Sequence, residues 1–308
     1  MQHVHADTII GINWGSSNLR AYLIGPDAQV LDRWETAAGV AAIGREAMIE
    51  AADRIRSRWP TARHAYAAGM IGSSVGWIDA GYIDCPAGVA DVAGRLVAAR
   101  IGTLEVDIVP GLACVRQVDA APDVMRGEET ELFGLWAQAG CADAPVVALP
   151  GTHTKWVQWH DGRIQAFMTS MSGELFDRLA SAGLLASVLD GPGHDGPAFI
   201  EGVRTAASGT LGLGTLLFGV RARQVRGTLA RDDTSAYLRG LLAGAEIADA
   251  LALFPALRTH TVPLVGAAAV CQLYRTALAT LGIASTPVAS AGAIVRGFQT
   301  IDALRRPA

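Results

Sequence analysis

The sequence predicts an α/β protein with two domains of duplicated architecture. Its 308 residues are 51% hydrophobic, which is enough for two separate cores. Both halves begin with the same order of elements: strand, polar Gly-Ser/Thr turn, strand, Asp-containing turn, strand and helix. The turns start at Gly15 and Gly151. We therefore predict an N-terminal domain over residues 1–140 and a C-terminal domain over residues 141–308.

The first half is predicted to begin with an antiparallel three-stranded meander. Short polar turns separate its apolar runs. Apolar residues at three- and four-residue spacing then predict a helix that Pro60 ends, followed by a parallel strand. The expected strands are Thr8–Asn13, Leu19–Ile24, Gln29–Glu35 and His64–Met70, and the expected helix is Gly44–Trp59.

The second half repeats this pattern. Its helix is expected to run to Gly183 with Ser172 as N-cap and with Glu174 in the first turn, where the helix dipole favours an anion. The expected strands are Val146–Pro150, Lys155–Trp159 and Arg163–Met168. The remaining elements are helices Ala236–Leu253 and Ala268–Leu281, strands Thr261–Val265 and Pro287–Ala289, and a closing helix to Leu304.

Composition excludes several classes of protein. The net charge of -4 leaves no basic surplus for a nucleic-acid backbone. Apolar stretches fall short of the roughly 20 residues that span a bilayer, and the N-terminus does not read as a secretory signal, so a cytoplasmic location is expected. Four cysteines, Cys85, Cys114, Cys141 and Cys271, form no C-x-x-C pair and are expected to be reduced thiols.

The two polar turns are candidates for binding phosphate. A hairpin tip of glycine and small polar residues can direct several backbone N–H groups at one anion. Either tip alone is also typical of an ordinary hairpin turn, but the repetition favours a shared function. The candidate residues are Gly15, Ser16, Ser17 and Asn18 in the first tip, and Gly151, Thr152, His153, Thr154 and the cation Lys155 in the second.

A strand, a polar Gly-rich hairpin and a second strand, occurring twice, resemble the phosphate 1 and phosphate 2 elements of the actin, hexokinase and sugar kinase superfamily. The resemblance implies a two-lobed ribonuclease H-like fold with duplicated domains, in which ATP sits between the lobes. It also implies that Gly266 and Ala267, which follow the strand ending at Val265, form the adenosine element. Small residues at these two positions are equally typical of ordinary helix packing.

Longer motifs resemble one family within that superfamily. IGINWGSSNLRAYL, AGMIGSSVGW, YIDCPA, MRGEETELFG, LPGTHTKWV and MSGEL occur in this order and are similar to segments of 2-dehydro-3-deoxygalactonokinases. The family implies phosphorylation of the 6-hydroxyl of 2-dehydro-3-deoxygalactonate by Mg-ATP, in galactonate catabolism. A homo-oligomer is compatible with the sequence, and no nucleic-acid or membrane partner is expected.

The catalytic carboxylate is expected within MRGEETELFG. Phosphoryl transfer to a hydroxyl needs a carboxylate that accepts its proton. Superfamily kinases carry this group at a helix start, so by analogy Glu129 is the expected base and Glu128 the alternate. Adjacent acids in a first turn are also typical of simple helix-dipole compensation.

The sugar acid is expected to bind through an arginine and a Gly-Ser loop. A carboxylate favours bidentate pairing with arginine, for which Arg126 and Arg20 are the candidates. Either could instead be a surface charge. The loop after the strand ending at Met70 lies where ligands of α/β sheets bind, and its candidate contacts are Gly72, Ser73, Ser74 and Trp77.

Asn13 departs from the family pattern. The family's first hairpin resembles I-D-W-G-S, with an aspartate that organises Mg²⁺ through water, whereas this chain has an asparagine. A neutral amide attracts a hard cation less strongly than a carboxylate does. Asn13 is therefore expected to act on the metal weakly, through water.

The sequence leaves two other functions open. One is a superfamily kinase for another sugar or keto-deoxy sugar acid, since one stereocentre need alter only one hydrogen bond. The other is a catalytically impaired nucleotide- or sugar-acid-binding protein, which only Asn13 suggests. Comparing turnover of epimeric substrates tests the first alternative. Restoring aspartate at position 13 and measuring phosphorylation tests the second.

Overall fold

The computed structural model describes residues 7–138, 144–290 and 292–305, which form two compact units. The first unit contains the described residues up to 138, residues 161–165 and those from 290 onward, and the second contains the rest. The predicted boundary at 140/141 and Cys141 lie outside the described residues. The units differ from the predicted division because the C-terminal helix belongs to the first unit.

The first unit is built on a six-stranded sheet of order β3-β2-β1-β4-β8-β7 and a three-stranded sheet of order β10-β9-β5. Its elements in chain order are β1 (Ile9–Trp14), β2 (Leu19–Ile24), β3 (Val30–Thr36), α1 (Arg45–Arg58), β4 (His64–Ala68), β5 (Tyr82–Asp84), β6 (Ala87–Gly88), α2 (Val89–Ala93), β7 (Val97–Ile101), β8 (Leu104–Ile108), β9 (Gly111–Val115), β10 (Pro122–Met125) and α3 (Glu128–Ala137).

The second unit contains a sheet of order β15-β14-β11-β12-β13. The first residues of β13, Arg163 and Ile164, belong to the first unit, where they pair with β6. The elements that follow α3 are β11 (Val146–Leu149), β12 (Thr154–His160), β13 (Arg163–Ser170), α4 (Ser172–Ser181), α5 (Pro197–Ala207), α6 (Leu213–Val225), α7 (Thr234–Leu253), β14 (Val262–Val265), α8 (Ala268–Thr280), β15 (Ser285–Val288) and α9 (Ala293–Arg305), of which α9 lies in the first unit.

The two sheets share one topology. In the first unit, β1 pairs antiparallel with β2 and parallel with β4, and β4 continues parallel to β8. In the second unit, β11 pairs antiparallel with β12 and parallel with β14, which continues parallel to β15. An antiparallel meander continued by parallel strands is the ribonuclease H-like arrangement. The duplicated α/β architecture predicted from the sequence is therefore confirmed.

Helix α9 joins the first unit because two glycines let it approach α3 closely. A Cβ atom on Gly134 would lie 1.8 Å from the Ala293 carbonyl oxygen, and one on Gly297 would lie 2.0 Å from the Thr130 carbonyl oxygen. Only glycine permits such backbone contact. Among the described residues, no helix is long and apolar enough to cross a membrane.

Candidate active site

The first polar tip connects β1 to β2 and is held open by the segment after β3. The N–H groups of Gly39, Val40 and Ala41 donate to carbonyl oxygens of Ser17, Gly15 and Ser16, at 3.0 to 3.2 Å. Within the described part of the chain, the amides of residues 16–18 donate to no acceptor. Because the carbonyl oxygens of the tip accept these hydrogen bonds, the exposed tip leaves N–H groups available to an anion, as in an anion-binding nest.

The second tip, between β11 and β12, lies directly against the start of α4. A Cβ atom on Gly173 would be 2.3 Å from the Gly151 carbonyl oxygen, and the Glu174 N–H donates to the Thr152 carbonyl oxygen at 2.9 Å. A ring nitrogen of His153 lies 2.6 Å from the Glu174 carboxylate, and this hydrogen bond lowers the pKa of Glu174. The positive end of the α4 dipole thus adjoins the tip.

The residues that complete the second motif are buried rather than presented at the tip. Lys155 is only 6% exposed, and its Nζ donates to the Thr169 hydroxyl at 2.8 Å. The Thr154 hydroxyl lies 2.9 Å from the Tyr274 hydroxyl. Of the predicted phosphate ligands of this motif, Gly151, Thr152 and His153 therefore lie where a ligand can reach them.

Ser172 is not the N-cap predicted from the sequence. Met171 is the N-cap of α4, and Ser172 is the first helical residue. The Ser172 hydroxyl donates to the buried Glu246 carboxylate instead of capping the helix. The tertiary partner on α7 has displaced the local cap, which the sequence pattern does not reveal.

The predicted adenosine element lies beside the second tip. Gly266 directly follows β14 and has a φ of 157°. A Cβ atom there would be 2.9 Å from the carbonyl oxygen of Pro150, which directly follows β11. Ala267 is the N-cap of α8. The parallel pairing of β11 with β14 thus brings Gly151 and Gly266 to the same edge of the sheet.

An apolar pocket adjoins the second tip and was not predicted from the sequence. Arg239 lies on one wall with its guanidinium 3.6 Å from the Phe176 ring centroid, and burial lowers the pKa of Arg239. Arg239 lies on α7, whose sequence has the pattern of an ordinary amphipathic helix, so the sequence does not single this arginine out. Gly151 of the tip, Ser172 and Gly173 at the start of α4, and Tyr274 of α8 also line the pocket. Its apolar lining is Phe176, Phe199, Leu242, Ala243, Val270 and Leu273.

In the first unit, three chain segments meet at the carboxyl ends of β1 and β4. A Cβ atom on Gly127 would be 3.1 Å from the Gly69 Cα. One on Gly69 would be 2.8 Å from the Trp14 carbonyl oxygen and 3.6 Å from Asn13 Oδ1. Both glycines have positive φ, 106° and 95°. The acidic start of α3 therefore lies at the edge of the sheet where ligands bind in α/β folds.

The two acids that begin α3 differ in exposure. Glu129 is fully buried; it accepts the Gly127 N–H at 2.7 Å and the Thr130 hydroxyl at 3.2 Å. Burial, together with the charge of Glu128, raises the pKa of Glu129 to about 8. Glu128 is partly exposed and accepts the Arg126 N–H at 3.2 Å. A base must touch the hydroxyl that it deprotonates, so Glu128 has the more favourable position.

The buried Glu129 carboxyl predicts a pH-dependent stability. Its folded-state pKa of about 8 exceeds the reference value of 4.5, so its contribution is complete below pH 4.5 and is lost as pH rises to 8. Glu129→Gln removes this titration. Relative to the wild type, we expect the free energy of unfolding of the variant to gain roughly 1.4 kcal/mol per pH unit between about pH 5 and 8, measured by urea unfolding.

Glu46→Gln, at the exposed first turn of α1, is the matched control. Parallel pH profiles for the wild type and Glu129→Gln would contradict this account.

Arg126 is a buried cation with unused hydrogen-bond donors. Its side chain is 4% exposed, Nη2 donates to the Gly81 carbonyl oxygen at 3.0 Å, and the guanidinium lies 4.4 Å from the Tyr82 ring centroid. Nη2 also forms a long ion pair, of 3.7 Å, with Oδ1 of the exposed Asp79. Nε and Nη1 have no partner among the described residues. Because unpaired buried donors are costly, this arrangement favours an anionic ligand.

The Gly-Ser loop after β4 adjoins Arg126. A Cβ atom on Gly72 would lie 3.1 Å from Arg126 Nη1. The Ser73 hydroxyl donates to the Met70 carbonyl oxygen at 2.7 Å, whereas Ser74 is exposed. The structure therefore brings Gly72 close to Arg126, and the Ser73 hydroxyl forms a hydrogen bond within the loop.

Trp77 and Arg20 have protein partners. The Arg45 guanidinium lies 3.9 Å from the Trp77 ring centroid. Arg20 Nε donates to Glu35 at 2.8 Å across β2 and β3, with both side chains about half exposed. Arg20 pairs closely with Glu35 and is half exposed, whereas Arg126 has two buried donors without a partner among the described residues. Arg126 is therefore the better candidate to bind a carboxylate ligand.

The protein offers little direct coordination to a metal at this edge. Asn13 supplies one partly exposed amide near the end of β1. Among the described residues, no group of three or more His, Cys, Asp or Glu side chains could hold a metal ion. These residues fit a Mg²⁺ ion whose other ligands are water and phosphate oxygens, because Mg²⁺ usually retains several waters.

Comparison with known proteins gives one consistent result. The sequence profile of the family described as 2-keto-3-deoxy-galactonokinase matches residues 13–301. A Rhizobium meliloti protein named as a probable 2-dehydro-3-deoxygalactonokinase is 37% identical, covering 88% of this chain and 89% of its own. The 2-dehydro-3-deoxygalactonokinase of Escherichia coli is 34% identical, covering 95% and 96%. A Sinorhizobium meliloti crystal structure, of a protein assigned to the same activity, superimposes with a TM-score of 0.85 at 36% identity, covering 95% and 97%.

Proposed function

The chain belongs to the 2-keto-3-deoxy-galactonokinase family, and from this premise we propose that it transfers the γ-phosphate of ATP to the 6-hydroxyl of 2-dehydro-3-deoxy-D-galactonate. The product is the 6-phosphate, an intermediate of galactonate catabolism. The observation that carries the proposal is that Nε and Nη1 of Arg126 are buried and have no partner among the described residues. Arg126 lies just before the acidic start of α3. A keto-deoxy sugar acid has the carboxylate that this cation needs and a hydroxyl at its other end.

Residues of the first unit act on the sugar acid. The Arg126 guanidinium binds the carboxylate and thereby orients the chain of carbons, with the Gly72 loop alongside. Glu128 accepts the proton of the 6-hydroxyl as its oxygen bonds to the γ-phosphorus. The bond from phosphorus to the bridging β-phosphate oxygen breaks, and ADP leaves with that electron pair. Glu129 keeps the start of α3 in place through its hydrogen bond from Gly127.

The nucleotide is bound by backbone groups and by the second unit's pocket. Within its own unit, each polar tip offers N–H groups to phosphate oxygens, and the positive end of α4 adds to the attraction at the second tip. The pocket beside Gly151 receives the adenine, with Arg239 and Phe176 in its wall. Gly266 permits the close approach of the nucleoside. Phosphate oxygens and water would hold Mg²⁺, with Asn13 acting on it through water, and the ion would neutralise phosphate charge.

The geometry of the first tip predicts a specific effect of Gly39→Ala. The added Cβ atom would lie 2.1 Å from the Ser16 carbonyl oxygen, and two backbones cannot yield at that distance. The 39–41 segment hydrogen-bonds to the carbonyl oxygens of the tip, so displacing it disturbs the N–H groups that bind phosphate. We therefore expect the KM for ATP to rise about tenfold or more, with the KM for the sugar acid unchanged. Gly44→Ala is the control, since its Cβ enters open space. Steady-state kinetics with each substrate varied decide this, and equal KM values for ATP in both variants would contradict it.

Coupled ADP-release assays on purified protein test the proposed function. We expect turnover with 2-dehydro-3-deoxygalactonate and slower turnover with the gluconate epimer, whose one inverted stereocentre disturbs a hydrogen bond. Faster turnover of the epimer would assign the protein to another keto-deoxy acid. Asn13→Asp is measured in parallel. Turnover that appears only in this variant would show that the natural protein binds substrates without catalysing their reaction.

A further inference from the structure

Beneath the second tip lies a buried carboxylate that the proposed reaction does not use. Glu246, on α7, is 3% exposed. Its oxygens accept the Trp156 indole N–H at 2.8 Å, the Tyr274 hydroxyl at 2.9 Å and the Ser172 hydroxyl. Burial raises the pKa of Glu246, while these donors favour its ionised form. A carboxylate is the acceptor that satisfies all three donors at once.

These donors lie on three different elements around the tip. Trp156 lies in β12, Ser172 begins α4 and Tyr274 lies in α8. The Glu246 carboxylate accepts from all three, so α7 connects the three elements through one side chain. Fully satisfied buried polar networks of this kind hold a single arrangement of their elements.

Hydrogen bonds continue from this network to the backbone of the tip. The Tyr274 hydroxyl lies 2.9 Å from the Thr154 hydroxyl. The Thr154 hydroxyl in turn accepts the Gly151 N–H at 3.4 Å. On the other side, Ser172 directly precedes Gly173, where an added Cβ atom would lie 2.3 Å from the Gly151 carbonyl oxygen. Glu246 is thus connected to both sides of the tip.

We propose that Glu246 is a positioning residue, which holds the second tip and the first turn of α4 in the arrangement that receives the nucleotide phosphates. This inference rests on the proposed function, since it assumes that the tip binds phosphate. Glu246 touches neither substrate. Its effect is on phosphate binding, because donor groups stabilise an anion only when they are already oriented towards it.

Nucleotide binding to Glu246→Gln tests the proposal. A glutamine has one acceptor oxygen and adds an NH₂ group where the network already contains donors. We expect Mg-ADP binding by the full chain, measured calorimetrically, to weaken about tenfold or more, and adenosine binding to stay within about twofold. Adenosine uses the apolar pocket but has no phosphate. Asp249→Asn, an exposed acid on the same helix, is the control and should leave both affinities unchanged.

Tyr274→Phe provides a second variant. It keeps the aromatic ring, which lines the pocket, and removes only the hydroxyl that links Glu246 to Thr154. We expect the same selective loss of ADP affinity, smaller in size. Unchanged ADP affinity, or equal weakening of ADP and adenosine, in the folded variants would overturn the proposal and assign the network to core stability alone. If the wild type binds neither ligand, the proposed function itself fails.

Discussion

Arg126→Ala is expected to reduce kcat/KM for the sugar acid by a factor of about 100 or more, through a higher KM, while the KM for ATP stays unchanged. The variant removes the cation whose Nε and Nη1 have no partner among the described residues. Loss of a buried charge-assisted pair costs about 2–5 kcal/mol, which sets this magnitude. Arg126→Lys should retain only part of the affinity, because an ammonium cannot pair with a carboxylate bidentately.

Two controls make the Arg126 result specific. Arg20→Ala removes an exposed arginine that already pairs with Glu35, so its kinetic effect should stay within about threefold. A substrate analogue with a C1 carboxamide should bind the wild type and Arg126→Ala with similar affinity. If Arg20→Ala instead raises the KM for the sugar acid and Arg126→Ala does not, the two arginines have the opposite roles.

Glu128→Gln is expected to lower kcat by a factor of about 100 to 10,000, with little change in either KM. General-base catalysis contributes an effect of this order, and the amide cannot accept the hydroxyl proton. Glu129→Gln should lower kcat by less than about tenfold, since a neutral isostere can still accept the Gly127 N–H. Rapid-quench measurement of a single turnover separates the chemical step from product release.

The opposite ranking of the two glutamates would contradict this assignment. A large loss in Glu129→Gln with near-normal activity in Glu128→Gln would restore the assignment that the superfamily analogy favours. The pH dependence of kcat then provides a further check, since burial raises the pKa of Glu129 to about 8. A base with that pKa would impose an alkaline rise in rate near pH 8.

Strand periodicity and turn composition predict most of the fold. The meander from β1 to β3 and its repeat from β11 to β13 are marked by apolar runs and by the polar tips at Gly15 and Gly151. These signals are local, so the sequence contains them directly. The position of α9 is different. Its contact with α3 depends on Gly134 and Gly297, which meet only after distant segments have folded together.

The candidate site was predicted in part. Motif similarity pointed to Arg126, the paired acids and the tips, and superfamily analogy ranked Glu129 above Glu128. The burial of Glu129, which depends on tertiary packing, favours the opposite ranking. Glu246 and Arg239 carry no motif; each lies within a long helix among apolar residues. Gly39 and Gly173 do have a recognisable signal. Each follows the third strand of its repeat by the same number of residues and packs against the tip of that repeat.

Identification of the product tests the central claim most directly. Purified wild-type protein is incubated with Mg-ATP and 2-dehydro-3-deoxygalactonate, and the product is analysed by ³¹P and ¹³C NMR. We predict one equivalent of ADP for each sugar acid consumed, with the new phosphorus coupled to C6. A phosphate on another carbon, or ATP hydrolysis to ADP and inorganic phosphate without a phosphorylated sugar acid, would contradict it.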